Sequence, residues 1–111
     1  MLLRVISGKV KPGAWSDYEA AYLKATQEAG PSQGLCGRWL TRDLDDPDAG
    51  TTISLWANAE ALRAYEESDA LRKIIQPQLA PFFTGEYRTS RSIVRFAEGD
   101  PAPADWVGSD N

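Results

Sequence analysis

Apolar and polar residues change rhythm along this chain in a way that predicts six elements. Residues 2 to 10 read as a strand, with Leu3 and Val5 on one side and Arg4 and Ile6 on the other. The segment KPGAWSDYEAAYLKATQEAG follows as a helix. In it Trp15, Tyr18, Tyr22, Ala25 and Ala29 step by three and four and share one face. Ser16 with Glu19 forms a candidate capping box, Gly13 offers an alternative start, and Gly30 ends the helix. LCGRWLTR, residues 35 to 42, is a second strand, DLDDPDAG a polar turn, and TTISLWA, from residue 51, a third strand paired to the second as a hairpin. Asn58 is placed to cap a second helix with Leu62 and Tyr65 on its apolar face. Ser68-Asp69 restart a helical segment through Leu71, Ile74 and Ile75, which Pro77 and Pro81 break. Residues 86 to 96 make the last strand.

The order strand–helix–strand–strand–helix–strand is that of an α+β, ferredoxin-like βαββαβ fold, with one antiparallel sheet and both helices on one face. The expected domain is residues 1–97. A Pro/Asp/Gly-rich tail, 98–111, is expected to be mobile unless Trp106 docks it. The sheet face away from the helices still carries aliphatic residues at alternate positions, so a second copy of the chain is expected to cover it as a homodimer.

Composition narrows the chemistry. The 111 residues carry 12 basic and 16 acidic side chains, a net charge of −4, with no basic stripe among the aromatics, which argues against a nucleic-acid partner. There is one cysteine, Cys36, read as an inert thiol buried in its strand, and no histidine. Zinc, copper and haem-iron sites of the usual kind, and Ser-His-Asp or Cys-His catalysis, are therefore excluded within one chain. No apolar run is long enough for a membrane span or a signal-peptide core, so the expected location is cytoplasmic. Asp43, Asp45, Asp46 and Asp48 fail the calcium-loop pattern, since the twelfth position is Ser54 and Pro47 interrupts the ligands. They read as a solvated turn.

The aromatic residues are the candidate site. On the third strand Thr52, Ser54 and Trp56 share one parity and Ile53 and Leu55 the other. A face of hydroxyls and an indole suits a cavity for a planar ligand, whereas an all-aliphatic face suits a dry interface. Core filling is the competing reading of the same rings. Arg72 and Arg91 are the cations to follow, as stabilisers of a phenolate or enolate oxygen or as outward-facing surface residues.

SLWANAEALRAYEESDALRKIIQPQLAPFF, with VKPGAWSDYEAAY before it, resembles the antibiotic biosynthesis monooxygenase family of dimeric α+β barrels, over roughly residues 2 to 96. The resemblance implies a homodimer with one cavity per subunit. It also implies, for some members, oxidation of phenolic, quinol or polycyclic aromatic substrates by O₂ with no cofactor. Trp56 matches the Trp lining the cavity in those members, and Arg72 matches their Arg. Their Asn four residues before the Trp is Thr52 here, and their Tyr six residues after it is Leu62. In the haem-degrading branch the axial His falls near Ile75 and a first-strand Asn near Ser7, which makes that activity unexpected here. On this reading Trp56 and Arg72 are catalytic. Trp15, Tyr18 and Tyr22 clamp the substrate rings with Trp56, and Ser7, Thr52 and Tyr65 hydrogen-bond its oxygens. The alternative is a non-catalytic binding or cyclase-like protein for an aromatic or polyketide intermediate. A third is an interaction module docking a partner through Trp106.

Overall fold

The structure is a computed structural model that describes residues 1–99; the end of the tail, Trp106 included, lies outside the described residues. Four strands form one antiparallel sheet: β1 (Leu2–Lys9), β2 (Leu35–Arg42), β3 (Ala49–Trp56) and β4 (Arg88–Ile93), in the spatial order β2-β3-β1-β4. Helix α1 (Trp15–Ala29) connects β1 to β2. Between β3 and β4 run α2 (Ala59–Glu66), a π-helical segment (Ala70–Ile75), the single turn α3 (Gln76–Leu79) and a 3₁₀ turn (Ala80–Phe82). The α+β, ferredoxin-like fold expected from the alternation is the one observed.

The register decides which side chains meet the helices. Leu2, Arg4 and Ile6 of β1 pair with Trp56, Ser54 and Thr52 of β3, and Arg38 and Leu40 of β2 pair with Ser54 and Thr52. Successive side chains of a strand point to opposite faces. The helix-facing side therefore carries Arg4, Ile6, Arg38, Leu40, Thr52, Ser54 and Trp56. The outer side carries Leu3, Val5, Ser7, Trp39, Ile53 and Leu55. The core lies on the helix side, where Trp15, Tyr18, Tyr22 and Ala25 of α1 meet Trp56, Leu62, Tyr65, Leu71, Ile75 and Leu79.

Several local details differ from the sequence reading. The Ser16–Glu19 capping box does not form. Helix α1 begins after Ala14 with no side-chain cap, because Gly13 turns the chain at φ 76°, and Glu19 instead accepts a hydrogen bond from Trp15 Nε1 at 3.2 Å. Cys36 is exposed rather than buried, since a register shift between Leu35 and Gly37 lifts it out of the ladder. Asn58 does cap α2, its Oδ1 accepting from Ala61 N at 2.8 Å. The acidic turn is closed on itself: Asp43 Oδ2 accepts from the amides of Asp45 and Asp46, and Asp46 pairs with Lys9 at 2.9 Å. Among the described residues there is no cluster of metal-ligating side chains, and no helix is long and apolar enough to cross a membrane.

Gly50 shows how closely α1 sits on the sheet. A Cβ there would overlap the carbonyl oxygen of Thr41 and the indole of Trp15, and neither the strand backbone nor a buried indole can move aside cheaply. Gly50→Ala is expected to cost about 1–3 kcal/mol of stability, as overpacking does. Urea unfolding checks this; an unchanged midpoint would show that Trp15 is free to shift.

Candidate functional site

A cavity lies between the helix-facing side of the sheet and the helical layer. Its floor is Ile6, Arg38, Thr52 and Ser54 from three strands; its walls are Tyr18, Tyr22 and Thr26 of α1 and Tyr65 of α2. The π-helical segment and the turns after it supply the roof, through Leu71, Ile75, Gln76, Leu79 and Phe83, and Tyr87 stands before β4. The roof exists because this stretch cannot be a regular helix. Pro77 has no N–H to give to the carbonyl four residues back. The Gln76 amide bonds Leu71 five residues back, which brings Leu71 and Gln76 to the same side. The cavity has a volume of about 60 Å³.

Arg38 is the one charged residue among the described residues lining this cavity. Its guanidinium carbon lies 5.7 Å from the Tyr65 ring centroid, and its Nη2 is buried with no hydrogen-bond partner among the described residues. A buried guanidinium N–H without an acceptor is costly. It is also a donor held ready for a negatively charged oxygen. Arg4, whose guanidinium carbon lies 5.6 Å from the same ring centroid, contrasts with it: its Nε donates to Glu66 Oε2 at 2.9 Å, so its charge is answered from α2. Glu66 also pairs with Arg91 at 2.7 Å. Burial alone would raise the Glu66 carboxyl, but the hydrogen bonds from Arg91 and Arg4 outweigh it and hold the group below its ordinary value.

Tyr18 and Tyr22 act as neutral phenols. Burial pushes the Tyr18 hydroxyl up to about 12. It pushes Tyr22 higher still, with the Arg38 charge offsetting only part of the effect. Both therefore keep their protons at neutral pH, so they can donate to an oxyanion but are poor bases. No carboxylate lines the cavity among the described residues.

Of the residues singled out from sequence, Tyr18, Tyr22, Thr52 and Tyr65 converge on the cavity, and Trp56, Trp15, Ser7 and Arg72 do not. Trp56 is fully buried behind Tyr65, with ring centroids 4.6 Å apart, and its Nε1 donates to Ser54 Oγ at 2.9 Å. It backs the wall rather than forming it. Trp15 packs at the far end of the sheet over Gly50, with Arg42 above it at 5.4 Å. Ser7 is exposed on the outer face, paired with Thr51, as strand alternation requires once Ile6 points inward. Arg72 is on the exposed side of the π segment, its Nε donating to the Glu66 carbonyl at 3.0 Å. Arg91 also lies outside, on Glu66. Arg38 went unnoticed in the sequence. The signal was there: in LCGRWLTR it shares parity with Leu40, and the hairpin sets it opposite Ser54.

The fold is shared with known proteins. The family model of antibiotic biosynthesis monooxygenases matches residues 1–77, and the chain belongs to that family. A conserved protein from Methanosarcina mazei Go1 is similar at 19% identity and a TM-score of 0.71, over 83% of this chain and 91% of that one. A mutant of SnoaB, a cofactor-independent oxygenase from Streptomyces nogalater, is similar at 18% identity and a TM-score of 0.72, over 89% of this chain and 97% of that one. At such identities the likeness establishes the fold. No curated protein matches the sequence.

Glu66→Gln tests the ion-pair cluster under the site. A carboxylate with a lowered pKa stabilises the fold above its unfolded value, ordinarily 4.5, and loses that contribution as pH falls through the lowered folded value. The variant is expected to be less stable at neutral pH by about 1–2 kcal/mol, since Arg4 loses its charged partner. The gap should close below pH ~4.5. Denaturation midpoints across pH measure it; a pH-independent gap would point to packing instead of charge.

Proposed function

We propose that this protein is a cofactor-independent monooxygenase that oxidises a phenolic, quinol or polycyclic aromatic substrate with O₂. The observation that carries the reading is Arg38: the one charged residue lining a largely apolar, tyrosine-walled cavity among the described residues, with a buried Nη2 that no acceptor among them answers. The substrate binds as its phenolate or enolate. Arg38 holds the oxyanion, the hydroxyls of Tyr18, Tyr22 and Thr52 orient the substrate oxygens, and Tyr65 stacks on the ring. The anion passes one electron to O₂. The resulting radical and superoxide join through a C–O bond, the peroxide is protonated, and O–O cleavage with loss of water leaves a quinone. Excluding bulk water strengthens Arg38's hold on the charge. The sequence-based roles of Trp56 and Arg72 pass to Tyr65 and Arg38. Trp56 stays in the proposal as the support that fixes Tyr65.

A second reading is favoured by one specific feature. Among the described residues no carboxylate lines the cavity, and Tyr18 and Tyr22 keep their protons, so neither serves as a general base toward the ligand. A non-catalytic binding or cyclase-like protein for an aromatic or polyketide intermediate needs none. The oxygenase needs a substrate acidic enough to arrive ionised.

O₂ uptake by chelator-treated protein, given an anthrone and a hydroquinone, separates the two. The oxygenase consumes O₂ above the protein-free rate, and Arg38→Gln lowers turnover about 10²–10³-fold, as loss of one oxyanion donor does. Arg72→Ala should fall far less. Binding without uptake would establish the second reading.

The working unit of this proposal is a homodimer closed through the outer sheet face, where Leu3, Val5, Trp39, Ile53 and Leu55 are only half covered within one chain. Ile53→Asp should shift sedimentation from dimer to monomer, since a charge at the centre of such a face cannot be solvated once it is covered. An unchanged sedimentation coefficient would put the interface elsewhere.

A further inference from the structure

A second depression opens on the same side of the molecule and shares a wall with the cavity. Arg4, Arg63, Arg72 and Arg91 line it against Glu66 and Glu67, and Leu71, Gln76 and Tyr87 border both it and the cavity. Its charges do not cancel. Glu66 is already engaged by Arg4 and Arg91. Arg72 spends its Nε on a backbone carbonyl, and Arg63 makes no side-chain hydrogen bond or ion pair among the described residues. On a chain whose net charge is −4, four guanidiniums facing two carboxylates make a local positive site. The π-helical segment arranges this. It turns Leu71 inward as roof, leaves Arg72 on the outer side, and brings Gln76 back to the shared edge.

We infer that this arginine groove is a subsite for an acidic group on the cavity's own ligand. The ring lies inside against Tyr65 and Arg38, and a carboxylate on a short flexible arm passes Leu71, Gln76 and Tyr87 to reach Arg63 and Arg72. This rests on the proposed ligand class and deepens it, from an aromatic oxyanion to one that carries a second negative charge outside. The small cavity agrees with it. A cavity of about 60 Å³ leaves recognition of a larger molecule to what projects beyond it. Arginine suits the task because its planar fork meets a carboxylate through two parallel N–H donors.

The test is calorimetric binding to the full chain of 3-(2,5-dihydroxyphenyl)propanoate and of its neutral amide, with the two- and four-carbon acids alongside. The acid is expected to bind about five- to ten-fold tighter than the amide at low salt, the range for a solvent-accessible charged contact. The advantage should shrink as salt screens it. Arg63→Gln should reduce it, and Arg63→Gln with Arg72→Gln should remove it, while amide affinity stays the same. Both residues are exposed, so neither change threatens the fold. Equal affinity of acid and amide would overturn the inference. So would an advantage that survives the double variant and disappears in Arg38→Gln, because the acid would then sit inside the cavity. If neither compound binds, the aromatic-ligand reading fails and the subsite with it. O₂ uptake plays no part in these outcomes, so an inactive protein with a working subsite is still recognised.

Discussion

Everything on the helix side of the sheet is organised around the ring of Tyr65. Trp56 supports it from the end of β3, and the guanidiniums of Arg4 and Arg38 flank it from the neighbouring strands. Arg4 and Arg38, among the arginines on the inner face of a small sheet, are expensive to bury. The fold resolves them differently. Arg4 receives a carboxylate from the last turn of α2, which ties the helix to β1 across the sheet. Arg38 receives the Tyr65 face and no counter-ion. The first arrangement holds the structure together. The second leaves a charge able to interact with something that enters from outside.

The covering layer is equally uneven. Helix α1 sits close on the sheet, with Ala25 wholly buried and Trp15 pressed on Gly50. The other half of the layer is a run of short helical pieces whose hydrogen-bond spacing changes from four residues to five, back to four and then to three, with two prolines in it. Such a run cannot present one continuous apolar stripe, and the space it fails to fill is the cavity. The irregularity is thus the origin of the site, in keeping with the frequent appearance of π turns at functional positions.

How much of this was legible beforehand varies with the range of the interactions. Strand alternation in β3 separated a hydroxyl face from an aliphatic one, and the structure has Thr52 and Ser54 inside, Ile53 and Leu55 outside. The aromatic face of α1 and the Asn58 cap were equally readable, because each depends on spacing within one element. Ser7 and Arg38 show the limit. Their orientation depends on pairing with Thr51 and Ser54 on another strand, and a bulge at Cys36 resets the count in β2. Trp56 shows a second limit: its burial was foreseeable, but that Tyr65 would stand between it and the cavity was not.

By itself, then, the sequence determined the order of elements, the family and the chemistry available. Those are local and compositional matters: periods of two and of about 3.6, capping residues, and the absence of histidine. Tertiary structure alone decided which arginine faces the ligand space. Arg38, Arg72 and Arg91 are chemically equivalent in the sequence. They differ only because one is enclosed beneath Tyr65 with no acceptor, one lies on the outer side of a π turn, and one has found Glu66. Enclosure and partnership are properties of the whole packed chain, and they set the Arg38 guanidinium at the cavity while leaving those of Arg72 and Arg91 outside it.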